Sequence, residues 1–167
     1  MPAPPKVVRA DAALREVLSL MGSTLEQGRV QLSFEDGPEL HVSMDTALIK
    51  QVLINLVRNA AEAIEDQGSV TLRVRASQAR LRGKSTGVAI LEVSDTGKGI
   101  PPEVEKRLFD PFFTTKEAGT GLGLSIAARI VEKHGGALEY QTQPGHGTKF
   151  GIVLPVAPAP DSSIPPA

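Results

Sequence analysis

The stretch FDPFFTTKEAGTGLGLS, Phe109 to Ser125, does most to limit what this chain can become, because a glycine-threonine run feeds directly into an apolar helical pattern. Gly119, Gly121 and Gly123 alternate with Thr120 and Leu122, as in a loop whose bare backbone approaches something closely. Beyond Leu122, the residues Leu124, Ile126, Ile130 and Val131 recur at helical spacing among Arg129, Glu132 and Lys133. A helix that begins right after the glycines presents free amides to an anion, and a phosphate chain is the natural candidate.

The other periodicities place this loop in a layered fold. Asp11 to Gln27 carries Leu14, Val17, Leu18, Met21 and Leu25 at helical spacing, with Asp11 as cap and Gly28 as stop. Val30 to Glu35 and Glu39 to Ser43 alternate on either side of Asp36-Gly37-Pro38, as a hairpin or as a pair of strands around a turn. Asp45 caps a predicted helix from Thr46 to Gln67, whose stripe of Ile49, Leu53, Leu56, Val57, Ala60 and Ile64 ends at Gly68. Ser69 to Ala76 and Val88 to Asp95 read as strands, with a polar loop from Ser77 to Thr86 between them. Pro101 to Leu108 reads as a short helix, and Gly136 to Thr142 with Gly147 to Leu154 as a closing pair of strands. Helices and strands do not alternate singly, so an α+β two-layer sandwich with helices on one face of the sheet is favoured over a doubly wound parallel sheet. Residues 1–10 read as a linker remnant, 11–156 as the domain and 157–167 as a proline-rich tail.

Composition removes several classes of function. A chain of 167 residues suits one core, and the lack of cysteine excludes disulfides, thiolate nucleophiles and cysteine-ligated metals, which makes the cytoplasm the default. A formal charge of -1 gives no electrostatic case for nucleic acid or an anionic membrane. No apolar run approaches the roughly 20 residues of a membrane span, so no direct membrane contact is expected. His41, His134 and His146 lack metal-ligand spacing and read as structural; His134 precedes Gly135-Gly136 at a helix end, where a cation is favoured. Gly83-Lys84-Ser85 has the ending of a P-loop, but Gln78 stands where the first glycine belongs and no helix follows.

Three groups of residues can carry chemistry. On the long helix, Asn55, Asn59 and Glu62 fall within about 60° of one another, either as a solvated back or as a stripe whose amides serve a phosphate-bound magnesium ion. Asp95 closes its strand on the face of Ala89, Leu91 and Val93. It is either a turn aspartate bonding the amides towards Gly97, or a carboxylate at the bottom of a pocket with Gly97 and Gly99 as a thin wall. Phe109, Phe112 and Phe113 form a satellite core, a hinge or both, and Lys116 stands between them and the glycines, where a cation reaches a terminal phosphate or is simply solvated.

Taken together, Asn55-Leu-Val-Arg-Asn59-Ala, Asp95-Thr-Gly97-Lys-Gly99-Ile, Phe109-Asp-Pro-Phe112-Phe113-Thr-Thr-Lys116 and Gly119-Thr-Gly121-Leu-Gly123-Leu resemble, in order and spacing, the N, first glycine, F and second glycine boxes of sensor histidine kinases. The resemblance covers Asp11 to Pro155 and is nearest to kinases of the nitrogen-regulation type. It implies the Bergerat ATP-binding fold, with a mixed sheet, of the superfamily that includes gyrase, the heat-shock chaperone and the mismatch-repair ATPase. By position it implies that Asn59 holds Mg2+ with Asn55 assisting through the ion or its waters, Glu62 and Ala63 lying beside the ATP. Asp95 then accepts from the adenine amine, Gly97, Gly99 and Ile100 shape the base pocket, and Thr148 supports it through water. Phe109 to Gly121 becomes a mobile lid with Thr115 and Lys116 towards the terminal phosphate, and Gly119, Thr120, Gly121, Leu122, Gly123 and Leu124 line the phosphates. Asn55, Asn59 and Lys116 are the catalytic candidates.

ATP-hydrolysing relatives place a glutamate where Asn55 stands, and an amide cannot serve as that base, so the resemblance favours a kinase over an ATPase. It further implies an acceptor histidine on a separate dimerisation hairpin, since none of the three histidines has that setting, a response regulator receiver domain downstream, and a monomeric isolated domain. A nucleotide-binding scaffold and a serine kinase acting on a regulatory antagonist protein use the same boxes.

Overall fold

The computed structural model describes residues 5–27, 29–111 and 123–159. Strand β1 (Lys6–Arg9) leads into helix α1 (Ala12–Gln27), strands β2 (Val30–Phe34) and β3 (His41–Met44) and the long helix α2 (Thr46–Glu62). Strands β4 (Gly68–Leu81) and β5 (Lys84–Asp95) follow, then helices α3 (Pro102–Glu105) and α4 (Gly123–Lys133), and strands β6 (Ala137–Gln143) and β7 (Gly147–Ala157). One seven-stranded sheet runs β1-β3-β7-β5-β4-β2, with β6 also paired to β7. The edge of β7 away from β5 is shared: Gly147 to Val153 face β6, while Val156 and Ala157 face β3. Among the described residues only β2 and β4 pair in parallel, so the sheet is mixed, as expected.

Alternation decides which face the helices cover. Val70, Leu72 and Val74 of β4 are buried, and with Leu91, Val93, Ile152 and Leu154 they share one core with Leu14 and Val17 of α1, Leu53, Leu56 and Val57 of α2, and Ala127 and Val131 of α4. Each large aliphatic side chain removed from water contributes about 1.5–3 kcal/mol, so this shared layer holds sheet and helices together. On the opposite face the Glu92 carboxylate, only 2% exposed, accepts from Arg73 Nε at 2.6 Å and Arg75 Nε at 2.9 Å, with Lys149 Nζ at 3.9 Å. Burial alone would push that carboxyl up, but the hydrogen bonds from Arg73 and Arg75 outweigh it and hold it below its usual range.

Several local expectations are corrected. The first ten residues are not all linker: β1 pairs antiparallel with β3 from Lys6↔Met44 to Arg9↔His41, and Val8 packs against the core. Ser77 to Thr86 is not a loop, because β4 and β5 pair as far as Leu81↔Lys84 around Arg82 and Gly83. Their φ values of 52° and 79° mark the two-residue hairpin turn whose twist matches its strands. Of the two readings of residues 30–43, the hairpin fails and the pair of strands around a turn holds: β2 joins β4, and β3 joins β1 and β7. Asp11 accepts from the Arg9 and Arg15 guanidiniums at 3.0–3.1 Å. Asp45 caps α2 as expected, accepting from the Leu48 amide at 3.2 Å, but α2 stops at Glu62 rather than Gln67. Its end is set by contact, since the Ala63 carbonyl accepts from Lys98 N at 3.0 Å. Among the described residues, no helix is long and apolar enough to cross a membrane.

Candidate functional site

The last turn of β5 brings Asp95 to the helix-covered face at 8% exposure. Its Oδ1 accepts from Gly97 N at 2.8 Å and Thr148 N at 3.3 Å, while Oδ2 has no hydrogen-bond partner among the described residues. Burial pushes the Asp95 carboxyl up, and the two amides only partly offset it. The turn reading of this residue holds for Oδ1, and Oδ2 is left available as an acceptor.

The loop after Asp95 is thin because it must be. A Cβ on Gly97 would stand 2.7 Å from the Ala63 carbonyl, and Gly99, at φ 77°, has Gln143 O and Pro144 Cα within 2.5 and 2.8 Å of where its Cβ would lie. The loop is tied down on every side: Thr96 N donates to Ser69 O at 3.2 Å, Gly145 N to Lys98 O at 2.7 Å, and Ile100 N to Thr142 Oγ1 at 2.8 Å. Thr148, 6% exposed on β7, lies with its hydroxyl 2.8 Å from that of Thr142. Ala63, Asp95, Gly97, Gly99, Ile100 and Thr148 are thus brought to one place.

Asn55 and Gly123 mark a second place, where α2 meets the start of α4. A Cβ on Gly123 would lie 2.7 Å from Asn55 Oδ1, and Asn55 Nδ2 is buried without a hydrogen-bond partner among the described residues. The solvated-back reading is therefore wrong for Asn55. A buried unpaired amide costs about 1–3 kcal/mol, and this nitrogen can donate a hydrogen bond but cannot ligate a cation. A cleft of about 330 Å³ runs along this junction past Asn55, Arg58, Gly123 and Ile126. Asn59, half-buried, and Glu62, exposed, continue the stripe towards Ala63, and Leu124 packs against the core. No group of three or more His, Cys, Asp or Glu among the described residues could hold a metal. Such a donor set fits magnesium only where phosphates and water supply most of the ligands.

Phe109 packs tilted against Tyr140 with centroids 5.8 Å apart, and Tyr140 likewise against Phe150 at 5.7 Å. Phe109 therefore joins the main core rather than a satellite. The Tyr140 hydroxyl donates to Glu105 at 3.0 Å, and burial together with that carboxylate pushes its own ionisation up. Phe112, Phe113, Thr115, Lys116, Gly119, Thr120, Gly121 and Leu122, with the expected lid, lie outside the described residues.

Sequence reasoning missed Thr142 and Tyr140, for which only strand register gives a signal. His134 is structural, as expected: its Nδ1 bonds Ile130 O at 2.8 Å while Nε2 accepts from Asp45 N at 3.1 Å. The ring thus ties the end of α4 to the start of α2. Gly83-Lys84-Ser85 forms a hairpin turn and a strand start, as its exclusion from the P-loops requires.

Among the described residues, an available acceptor behind a glycine wall and an unpaired amide about two helical turns along α2 from Ala63 thus stand on one mixed sheet. The chain belongs to the histidine kinase-, DNA gyrase B-, and HSP90-like ATPase family, whose model matches residues 44–158. Within it the chain is similar to the signal transduction histidine-protein kinase AtoS of Escherichia coli K12, 35% identical over 94% of this chain and 25% of AtoS. It is 44% identical to the sensory histidine kinase/phosphatase NtrB of Salmonella typhimurium over 67% of this chain and 33% of NtrB. The nucleotide-free catalytic domain of histidine kinase ThkA superposes with a TM-score of 0.76 and 34% identity, covering 92% of this chain and 96% of that one. ThkA in complex with response regulator protein TrrA matches with a TM-score of 0.71 and 30% identity, over 92% of this chain and 42% of that one. The chain thus spans a quarter to a third of these two curated relatives.

Proposed function

We propose that this domain binds Mg-ATP and transfers the γ-phosphoryl group to a histidine carried on a separate dimerisation hairpin, in the cytoplasm, with a response regulator receiver domain downstream. The observation that supports the reading is Asn55 Nδ2, a buried donor unpaired among the described residues, on the same helix whose end at Ala63 packs against the Gly97 wall beside Asp95. Asp95 accepts from the adenine amino group, between the Gly97–Ile100 wall and Thr148. Asn59 holds the magnesium ion, with Asn55 donating to a phosphate oxygen or an ion-bound water and Glu62 close by. Magnesium, when bound, neutralises phosphate charge. Lys116, Thr115 and the residues from Gly119 to Leu124 complete the phosphate side, as the sequence motif implies.

The work of such a site is positioning and charge neutralisation. An imidazole nitrogen of the acceptor attacks the γ-phosphorus, the bond from that phosphorus to the β,γ-bridging oxygen breaks, and ADP leaves. Asn55 cannot take a proton from water, so the bound ATP is spared hydrolysis and kept for that nucleophile. With the hairpin supplied in trans, Asn59→Ala and Asp95→Asn each abolish labelling from γ-labelled ATP. Normal labelling in both variants refutes the assignment, and nucleotide binding without any wild-type labelling selects the scaffold reading instead.

A further inference from the structure

Helices α2 and α4 run antiparallel and meet at two places. At one end the Asp45 amide donates to His134 Nε2 at 3.1 Å, and His134 Nδ1 bonds Ile130 O, one turn back along α4, at 2.8 Å. At the other end α4 begins so close to α2 that a Cβ on Gly123 would stand 2.7 Å from Asn55 Oδ1. From Asp45 to Asn55 the chain rises about 15 Å along α2, and from Gly123 to His134 about 16 Å along α4, at about 1.5 Å per residue. The two contacts are therefore rungs of one ladder whose rails have nearly equal length.

Apolar packing holds α4 lightly. Within Gly123–Lys133 the buried residues are Ala127 and Val131, and apolar burial is non-directional, so it does not fix how far one helix slides along another. A hydrogen bond does, because it weakens steeply with distance and angle. Both ends of the Asp45–His134 bond are themselves anchored. Asp45 is 7% exposed and its carboxylate accepts from Leu48 N at 3.2 Å, so the amide it offers belongs to the capped start of α2, while the ring is braced on Ile130 O. A slip of one residue, about 1.5 Å, would break that bond and move Gly123 off its seat against Asn55. We infer that His134 is a positioning residue for the phosphate end of the site: through the Asp45 amide it sets the axial register of α4 on α2, and that register puts Gly123 opposite Asn55. The inference rests on the Mg-ATP reading above and adds to it a residue at the far end of α4 from the phosphates.

Calorimetric binding of Mg-ATP and of adenosine to the whole chain tests this with two amides of different reach. His134→Gln extends about as far as Nε2 and keeps an acceptor for the Asp45 amide, whereas His134→Asn extends only as far as Nδ1 and keeps only the bond to Ile130. His134→Gln binds both ligands as the wild type does. His134→Asn binds adenosine within about twofold of the wild type but Mg-ATP about tenfold more weakly, the loss expected when a charge-assisted contact is pulled out of range. In an Asn55→Ala background the same His134→Asn change costs clearly less, because one of the two groups it aligns is gone. Unchanged Mg-ATP affinity in His134→Asn overturns the inference, as does equal weakening of both ligands, which reduces His134 to a general prop of the fold. A His134→Gln variant that loses as much as His134→Asn, or losses that add in full with Asn55→Ala, overturn it too. A wild type that binds no Mg-ATP is a different result, one that removes the ATP reading and this inference with it.

Discussion

Asp95 gives one oxygen to the fold and keeps the other for a ligand, and the two uses pull its energetics in opposite directions. Oδ1 holds Gly97 and Thr148 in place, while burial of the charge pushes the carboxyl above its unfolded value. Between the ordinary aspartate value and the raised one, the native state binds a proton that the unfolded chain does not. Stability from this group is therefore gained as pH falls into that window and lost as pH rises through it, so at neutral pH the buried charge is a standing cost. Asp95→Asn removes the charge and still offers an oxygen to both amides. The expected outcome at pH 7 is a melting temperature equal to or above the wild type, with Mg-ATP affinity lower by at least about a hundredfold. A variant that melts well below the wild type contradicts the account, as does one that binds normally. Asp95 was legible in the sequence because a period of two fixes which face it takes. Thr142 was not, since a threonine near a strand end acquires meaning only when another strand brings Thr148 opposite to it. Asn55 lay between, its stripe visible but its burial dependent on where α4 packs.

At the level of elements, the helices and the inner strands follow from local period, and the misreadings share one physical cause. Ser77 to Leu81 and β1 are strands because of ladder bonds made to residues elsewhere in the chain, and polar composition does not report those. The end of α2 is likewise decided by the glycine loop that reaches its Ala63 carbonyl. The outer face of the sheet shows the same dependence, since Glu92 gains three cationic neighbours only through the β4-β5-β7 register. Its folded-state carboxyl lies below the unfolded value, so its contribution is present above that value and lost as pH falls through the depressed one. Glu92→Gln leaves Arg73, Arg75 and Lys149 crowded without the countercharge and should cost about 1–3 kcal/mol at pH 7, towards the lower end because the arginines are partly solvated. Urea unfolding measures this, and the gap between variant and wild type should narrow as the pH is lowered into the acid range. A gap that stays constant with pH assigns the loss to packing instead.

Across the whole molecule, α2 acts as the strut between the two ends of the site. Ala63 backs the glycine wall and Asn55 meets Gly123, roughly 12 Å apart along the helix at about 1.5 Å per residue. A ligand that satisfies both ends links sheet, α2 and α4, and its binding energy adds to the stability of the entire domain. At a free concentration about a hundredfold above Kd, Mg-ATP should add about 2.7 kcal/mol. For a domain of this size that corresponds to a rise in Tm of about 5–10 °C. Asn55→Ala separates the two ends experimentally, because Asn55 Nδ2 has no hydrogen bond to lose among the described residues. Its unliganded Tm should stay within about 3 °C of the wild type, since only a small side-chain contact with Gly123 disappears. The Mg-ATP shift should fall by more than half, while the smaller shift given by adenosine, which reaches only the Asp95 end, is retained. An Asn55→Ala variant that keeps the full Mg-ATP shift would place the phosphates away from the α2–α4 junction, and one that loses the adenosine shift as well would show that the two ends are not independent.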